Sequence, residues 1–424
     1  MSAPSPQPQA WQAPGDLRTV VVVGAGQAGV QVAESLRSLG FDGQITLLGA
    51  EPYGPYHRPP LSKDWLTGAI EAGQLVLRSP EALQRKGIQL RTGAQVVALR
   101  PDRRELELAD GEVLGYDGLA LATGARPRRL SLPGADAPGI AVLRTRDDAT
   151  AVAEGLDRCV ATGRPLVVVG GGFVGLEVAA AARHRGIAVT VLEAQPRLLA
   201  RALAEPLSDW YAGLHAGHGV ELLLGTGVAG FESAGGAATG VRITDGRVLP
   251  AGMVLLGVGA DPDDALARAA GLDCERGIVV DDCGRTSAPA VVAAGDCTVT
   301  RLADGTVRRL ESVQNAVEQG KAAAAALLGL ERPFTGVPWF WSRQYDVQLQ
   351  LAGLADRADR WELSGDLNAP SFTLYGFRDA ELVCAQSVNA PSDHLEARRT
   401  LAGAAPARPG PRRPESPHPA PLPA

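Results

Sequence analysis

The sequence predicts an α/β protein: two Rossmann-like dinucleotide-binding domains on a glutathione-reductase-like plan, followed by a small α+β C-terminal domain. Two glycine-rich turns, Gly24-Ala25-Gly26-Gln27-Ala28-Gly29 and Gly170-Gly171-Gly172-Phe173-Val174-Gly175, stand 146 residues apart. Each is entered by an apolar run (20–23 and 166–169) and left by a helical pattern. The chain has 424 residues, a length that suits two or three domains.

The first unit starts at Thr19. Its strand feeds the glycine turn, then a helix over about 28–39 with Val32 and Leu36 on one face, then a strand at 45–48. The second unit repeats the plan with a strand at 166–169, a helix to about 185 and a strand at 188–192. Between them lies a stretch ending Leu119-Ala120-Leu121-Ala122-Thr123-Gly124, and after them come 254–259 and 291–296. These apolar strands end in small residues, which let a bound cofactor approach backbone at the carboxyl edge of a sheet. The expected organisation is one dinucleotide domain from 17–127 and 262–336, a second from 128–261, and the α+β domain over 337–402. The Pro- and Ala-rich segments 1–16 and 403–424 are expected to be disordered tails.

Composition excludes several classes. A formal net charge of -6 argues against general nucleic-acid affinity. No apolar run approaches the roughly 18 residues of a membrane helix, and the first 16 residues lack an apolar signal core. The expected location is cytoplasmic, with no membrane partner. The five cysteines (159, 274, 283, 297 and 384) have no Cys-x-x-Cys spacing and are expected to be reduced structural thiols; no metal-ligand set is expected.

A dinucleotide turn needs glycine because the chain turns tightly, the pyrophosphate touches backbone and the helix packs close to the strand. The helix N-terminus then offers free N–H groups to the phosphates. Glu193 ends the strand after the second turn, 23 residues beyond Gly170. A carboxylate there accepts from ribose hydroxyls and repels a 2′-phosphate, which favours NADH over NADPH; nearby Arg197 is a cation that pulls the other way. After the first turn the acid comes one residue late, at Glu51 behind Ala50. Glu51 reads equally as a ribose ligand or an ordinary surface glutamate.

Five further strings occur in order: Pro55-Tyr56-His57-Arg58-Pro59-Pro60-Leu61-Ser62-Lys63, Ala122-Thr123-Gly124-Ala125-Arg126-Pro127, Gly295-Asp296-Cys297, Glu311-Ser312-Val313-Gln314-Asn315-Ala316 and Pro338-Trp339-Phe340-Trp341-Ser342. Together they resemble the FAD-dependent NADH:ferredoxin reductases of bacterial cytochrome P450 and ring-hydroxylating oxygenase systems, the putidaredoxin reductase and rubredoxin reductase family. The resemblance covers about residues 19–400. It implies FAD on the first turn, with Gly24, Gly26, Ala28, Gly29, Glu51, Arg58, Lys63, Val96, Thr123, Gly124, Arg144, Asp296, Val313 and Trp341 around it. It implies NADH on the second, with Gly170, Gly172, Val174, Gly175, Glu177 and Glu193. Asp296 would serve the ribityl or pyrophosphate region, Arg144 the isoalloxazine side, and Trp341 the face of the ring. Lys63, Glu177 and Trp341 would be catalytic, with Lys63 and Glu177 paired near flavin N5, where a fixed ammonium stabilises charge left by hydride. Alone, Lys63 would read as a solvated lysine, Glu177 as a helix-face charge and Trp341 as a core aromatic.

The implied partner is an iron–sulfur ferredoxin or a rubredoxin, with Arg308, Arg309 and Arg343 as candidate docking cations or as scattered solvated charge. Three positions depart from the family pattern: Ala50 and Ala288 where an acid is usual, and Arg343 in place of Asp. Disulfide oxidoreductases need a cysteine pair near the flavin, and the stretch after the first unit carries Lys63 instead. An NADH oxidase, or an apoptosis-inducing-factor-like dehydrogenase using oxygen or quinone, remains the alternative reading.

Overall fold

The computed structural model describes residue 11, residues 13–302 and residues 305–403. Of the two expected tails, residues 1–10, 12 and 404–424 lie outside the described residues. Trp11 lies within them: its indole N–H donates to Val291 O at 3.2 Å, and Arg285 lies 5.0 Å over its ring.

Two five-stranded parallel sheets form the body. The first runs in the order Val291–Ala293, Gly118–Leu121, Thr19–Val23, Gln44–Leu48, Ile88–Arg91. The second runs Val220–Leu224, Val189–Glu193, Leu166–Val169, Met253–Leu256, Ile140–Ala141. In each, the strand that feeds a glycine turn is central. Both feeding strands are buried over almost their whole length, as continuous apolar runs are when helices cover both faces of a parallel sheet. The chain leaves the first sheet after Leu121 and returns to it at Val291, and Ala125–Pro127 pairs antiparallel with Ala260–Pro262 where it leaves and comes back. The second sheet is thus inserted into the first unit.

The helix Gln27–Ser38 packs on Val313–Leu327 through Gly320, where a Cβ would lie 3.1 Å from Ala28 O and 3.0 Å from Gln31 Cβ. The alanine run 322–326 of that second helix is wholly buried. Among the described residues no helix is long and apolar enough to cross a membrane.

The C-terminal part is a five-stranded antiparallel sheet in the order Trp339–Gln344, Val347–Gly353, Glu381–Val388, Phe372–Arg378, Arg360–Gly365, covered by the helix Pro391–Leu401. Leu349, Phe372 and Val388 share a core with Leu198, Leu207 and Tyr211 of the second unit. The edge strand Trp339–Gln344 itself packs against Phe173–His184 of the second unit and Val313–Leu327 of the first.

Candidate functional site

The two glycine turns are near copies. Gly24 and Gly170 have φ of +109° and +110°, and a Cβ on either would stand 2.1 or 2.4 Å from the carbonyl oxygen of Ala122 or Gly257. A Cβ on Gly29 or Gly175 would meet Gly24 O at 1.8 Å or Gly170 O at 2.2 Å. Only glycine permits the turn and the close helix. Gly26, in contrast, faces open space. The helices Gln27–Ser38 and Phe173–His184 begin at Gly26 and Gly172 with no side-chain cap. The helices Arg146–Thr162 and Val313–Leu327 are capped by Thr145 and Ser312. The loop helices therefore keep first-turn N–H groups for a ligand, and an open glycine face beside them fits a pyrophosphate. Both turns fit the pyrophosphate of a dinucleotide such as FAD or NADH. Val174 is 40% exposed on the open side of the second turn.

At the second turn Glu193 accepts from Gly171 N at 2.7 Å and Gln195 N at 2.8 Å, which pins its carboxylate beside the loop. Arg197 points elsewhere. Its guanidinium donates to Leu203 O, Ser208 Oγ and Ala200 O, so the cation that pulled against NADH is held by the protein itself.

At the first turn Glu51 accepts from Arg58 at 2.7 Å and Tyr56 OH at 2.6 Å. Arg58 also donates to Arg144 O, and the Arg144 guanidinium pairs with Asp296 at 2.8 Å. Four of the sequence-derived FAD residues thus form one connected string, with Gly124 beneath Arg144. Burial, together with the bond to Glu51, pushes the Tyr56 phenol well above its usual range. Thr123 donates to Asp263 O across the antiparallel crossover. Val96 packs on the carboxyl-edge core with Val23 and Leu48, and Val313 opens its helix next to the Ser312 cap.

All three parts of the chain meet at Glu177. Pro59–Ser62 is a short 3₁₀ turn whose Pro-Pro start fixes its backbone, and Lys63 follows it. Lys63 Nζ lies 2.7 Å from Glu177 Oε2 and donates to Pro59 O at 3.1 Å. Ser62 Oγ donates to Glu177 Oε2 at 2.5 Å and Ser342 Oγ to Oε1 at 2.6 Å. Glu177 is 5% exposed. The first unit supplies the ammonium, the second unit's loop helix the carboxylate, and the C-terminal strand a hydroxyl. Sequence reasoning named Lys63 and Glu177 and missed both serines, although Ser62 and Ser342 stand inside two of the strings it singled out.

On the edge strand, alternate residues face opposite ways. Phe340 meets Phe173 of the second loop at 4.6 Å between centroids, and Trp341 lies 5.6 Å from Trp339. Trp341 is half-buried. The departure Arg343 has a partner, since it forms an ion pair with Asp64, next to Lys63. Arg309 pairs with Glu311 and donates to Ala260 O. Both cations are thus paired within the chain. Ala288 is buried in a turn closed by Thr286, and Ala50 is exposed. All five cysteines are free thiols, four of them buried.

Residues 18–320 match the pyridine nucleotide-disulphide oxidoreductase family and residues 339–412 the reductase C-terminal family. The chain belongs to the pyridine nucleotide-disulphide oxidoreductase family. It is 43% identical to a rhodocoxin reductase of Rhodococcus erythropolis, covering 92% of this chain and 91% of that one. It is 41% identical to a putidaredoxin reductase of Pseudomonas putida, covering 92% and 93%. The solved covalent putidaredoxin reductase–putidaredoxin complex matches with TM-score 0.86 and 39% identity over 91% of this chain and 93% of the reductase. A water-forming NADH oxidase from Lactobacillus brevis, 20% identical with TM-score 0.81, shares the fold.

Proposed function

We infer that the protein is a cytoplasmic, FAD-containing NADH:ferredoxin reductase, supplying electrons to a [2Fe–2S] ferredoxin or rubredoxin that feeds a cytochrome P450 or ring-hydroxylating oxygenase. The observation that carries this reading is the buried Lys63–Glu177 pair, set where both dinucleotide units and the C-terminal strand meet. FAD, when bound, takes an electron pair as hydride and gives electrons up singly. The chain's own residues bind, orient and balance charge. Lys63 supplies a fixed positive charge in a poorly hydrated pocket, where it acts more strongly than in water. Glu177, gripped by Ser62 and Ser342, keeps that ammonium in place. Trp341, on the face of the edge strand opposite Ser342, is read as the aromatic wall of the FAD site. No side chain has to act as a nucleophile, and the thiol of Cys297 is completely buried and pushed up by burial.

Glu193 sets the choice of nucleotide. Glu193→Ala removes the charge that opposes a 2′-phosphate, and the ratio of kcat/KM for NADH over NADPH is expected to fall about tenfold. An unchanged ratio removes Glu193 from the ribose site.

The acceptor has a candidate seat in a groove of about 860 Å³ between the helices Gln27–Ser38, Val313–Leu327 and Pro391–Leu401. Arg332, Arg398 and Arg399 line it, and half-buried Trp339 forms part of its wall with Arg398 4.7 Å over the ring. Cations over an aromatic wall suit an acidic protein surface. Reversing Arg398 and Arg399 to Glu is expected to raise the KM for ferredoxin about tenfold at low salt and to flatten its salt dependence. A KM that ignores both changes places docking elsewhere. The decisive test of the whole reading is NADH-driven reduction of a panel of [2Fe–2S] ferredoxins against oxygen alone; fast oxygen consumption with no ferredoxin reduction establishes the oxidase instead.

A further inference from the structure

Behind Ser342 the polar atoms do not stop. Gln344, two residues on and therefore on the same face of the strand, donates through Nε2 to Ser342 Oγ at 3.2 Å. Its Oε1 lies 2.8 Å from His215 Nε2, on the helix Glu205–Gly217 of the second unit. His215 Nδ1 is 3.2 Å from Tyr345 OH. Ser342, Gln344 and His215 are 0%, 1% and 0% exposed. Tyr345 itself sits at φ +55° in a two-residue hairpin turn, with its ring stacked 3.7 Å from His218. A left-handed tyrosine is strained, and here the stack and the imidazole hold it.

The direction of this chain is forced. A carboxylate only accepts, so the Ser342 hydroxyl must give its single proton to Glu177. Ser342 must then accept from the amide nitrogen of Gln344, which turns the Gln344 carbonyl toward His215. A carbonyl also only accepts, so His215 carries its proton on Nε2. A neutral imidazole then has Nδ1 free to accept from Tyr345. Burial keeps the ring neutral, pushing His215 down to about 4. The titratable and charged groups around it are Tyr211 on its own helix, His218 at that helix's C-cap, Tyr345 from the C-terminal sheet, Arg183 from the loop helix, and Glu177 with Lys63 at the far end.

We propose that His215 is a positioning residue for Glu177: a one-way hydrogen-bond chain through Gln344 and Ser342 couples the imidazole tautomer to the carboxylate and holds one carboxylate oxygen, leaving the other to Lys63. Without the imidazole donor, the Gln344 amide is free to turn over. Ser342 can then rotate its proton onto the Gln344 carbonyl and release Glu177. An amide cannot readily pass a proton on, so the chain orients groups and does not conduct protons. The coupling works in reverse as well. In Glu177→Gln the side-chain carbonyl must stay with the donors Lys63 and Ser62, so the new NH₂ faces Ser342. Ser342 then donates to Gln344, the Gln344 amide turns over, and the His215 proton moves from Nε2 to Nδ1.

The inference rests on the Lys63–Glu177 pair serving the NADH reaction. The test uses FAD-loaded protein labelled with ¹⁵N-histidine, whose ring nitrogens report the tautomer directly. The expected result is Nε2–H in the wild-type protein and Nδ1–H in Glu177→Gln. Nδ1–H in the wild type, or the same tautomer in both, overturns the coupling. In parallel, His215→Phe is expected to slow NADH-driven bleaching of bound FAD about tenfold, the weight of one hydrogen bond to a charged group. His215→Gln, whose Nε2 can stand where the imidazole Nε2 stood, is expected to restore most of it. Thermal midpoints and FAD content of both variants separate positioning from loss of fold, and failure of His215→Gln to rescue a folded protein overturns the positioning role. If His215→Phe changes nothing while Glu177→Gln slows the reaction, the positioning role falls and the function of the pair stands. If neither changes it, the reading of the pair falls and takes this inference with it.

Discussion

Replacing Lys63 with alanine is expected to slow NADH-driven bleaching of bound FAD about 100-fold, the scale on which removal of one preorganised electrostatic group acts, while FAD stays bound. The two effects separate because they arise in different places. Retention of the cofactor rests on the Gly24–Gly29 turn, its uncapped helix and the Glu51–Arg58–Arg144–Asp296 string, none of which touches Lys63 through any bond described above. The rate rests on one ammonium, 13% exposed and 2.7 Å from Glu177. Its removal also leaves Glu177 buried with only two hydroxyl donors, and breaking a buried pair costs about 3–5 kcal/mol through the charge left behind. Lys63→Ala should therefore lower the thermal midpoint as well, and adding Glu177→Gln should recover much of that loss without recovering the rate. Stopped-flow bleaching on protein of matched FAD content reads the first quantity and thermal unfolding the second. A bleaching rate equal to that of the wild type removes Lys63 from the reaction.

How much of this was legible in the sequence follows from how local each cause is. The glycine turns were legible because a reason for each glycine lies close by: Gly29 because the turn brings Gly24 O within 1.8 Å of where its Cβ would be, Gly24 because the turn holds it at φ +109°. The apolar runs announced buried parallel strands for the same reason. Glu193 was legible as the end of the next strand, but the fate of Arg197 was not. Whether that cation faces a phosphate or three acceptors of its own segment depends on the path of residues 198–208. Ser62 and Ser342 lay in plain view within longer strings, yet nothing in spacing says that residues 115 and 165 positions from Glu177 close on the same carboxylate. The same holds for Arg343, whose partner Asp64 lies 279 positions away. Departures from a family pattern can be read from sequence; the group that answers them cannot.

The second large effect concerns acid. His215 and His394 are buried and neutral, and burial pushes both down to about 4 from an ordinary 6.5. Between those limits the unfolded chain binds a proton at each position and the folded chain does not, so stability rises with pH across the window. The contribution is fully present above about 6.5 and is lost as pH falls toward 4. Each histidine is expected to cost about 2 kcal/mol by pH 5 and about 3 kcal/mol at pH 4. The two differ in what replacing them does. His215 donates to Gln344 and accepts from Tyr345, so an apolar residue there leaves a buried carbonyl without a partner. Both ring nitrogens of His394 lack a hydrogen bond, and the ring packs edge-on to Trp339 at 6.0 Å. Phenylalanine at 394 therefore removes a desolvated polar group and breaks nothing, which stabilises the fold at neutral pH by about 1–3 kcal/mol. Urea unfolding of FAD-loaded protein at pH 7 and pH 5 measures both effects. The wild type is expected to lose about 4 kcal/mol over that interval from the two histidines together, and His394→Phe about half as much. An equal loss in the two proteins would mean that residue 394 is already protonated in the folded state at pH 5. The unpartnered nitrogens beside Trp339 would then have to find an acceptor that the packing around Pro391–Leu401 does not offer.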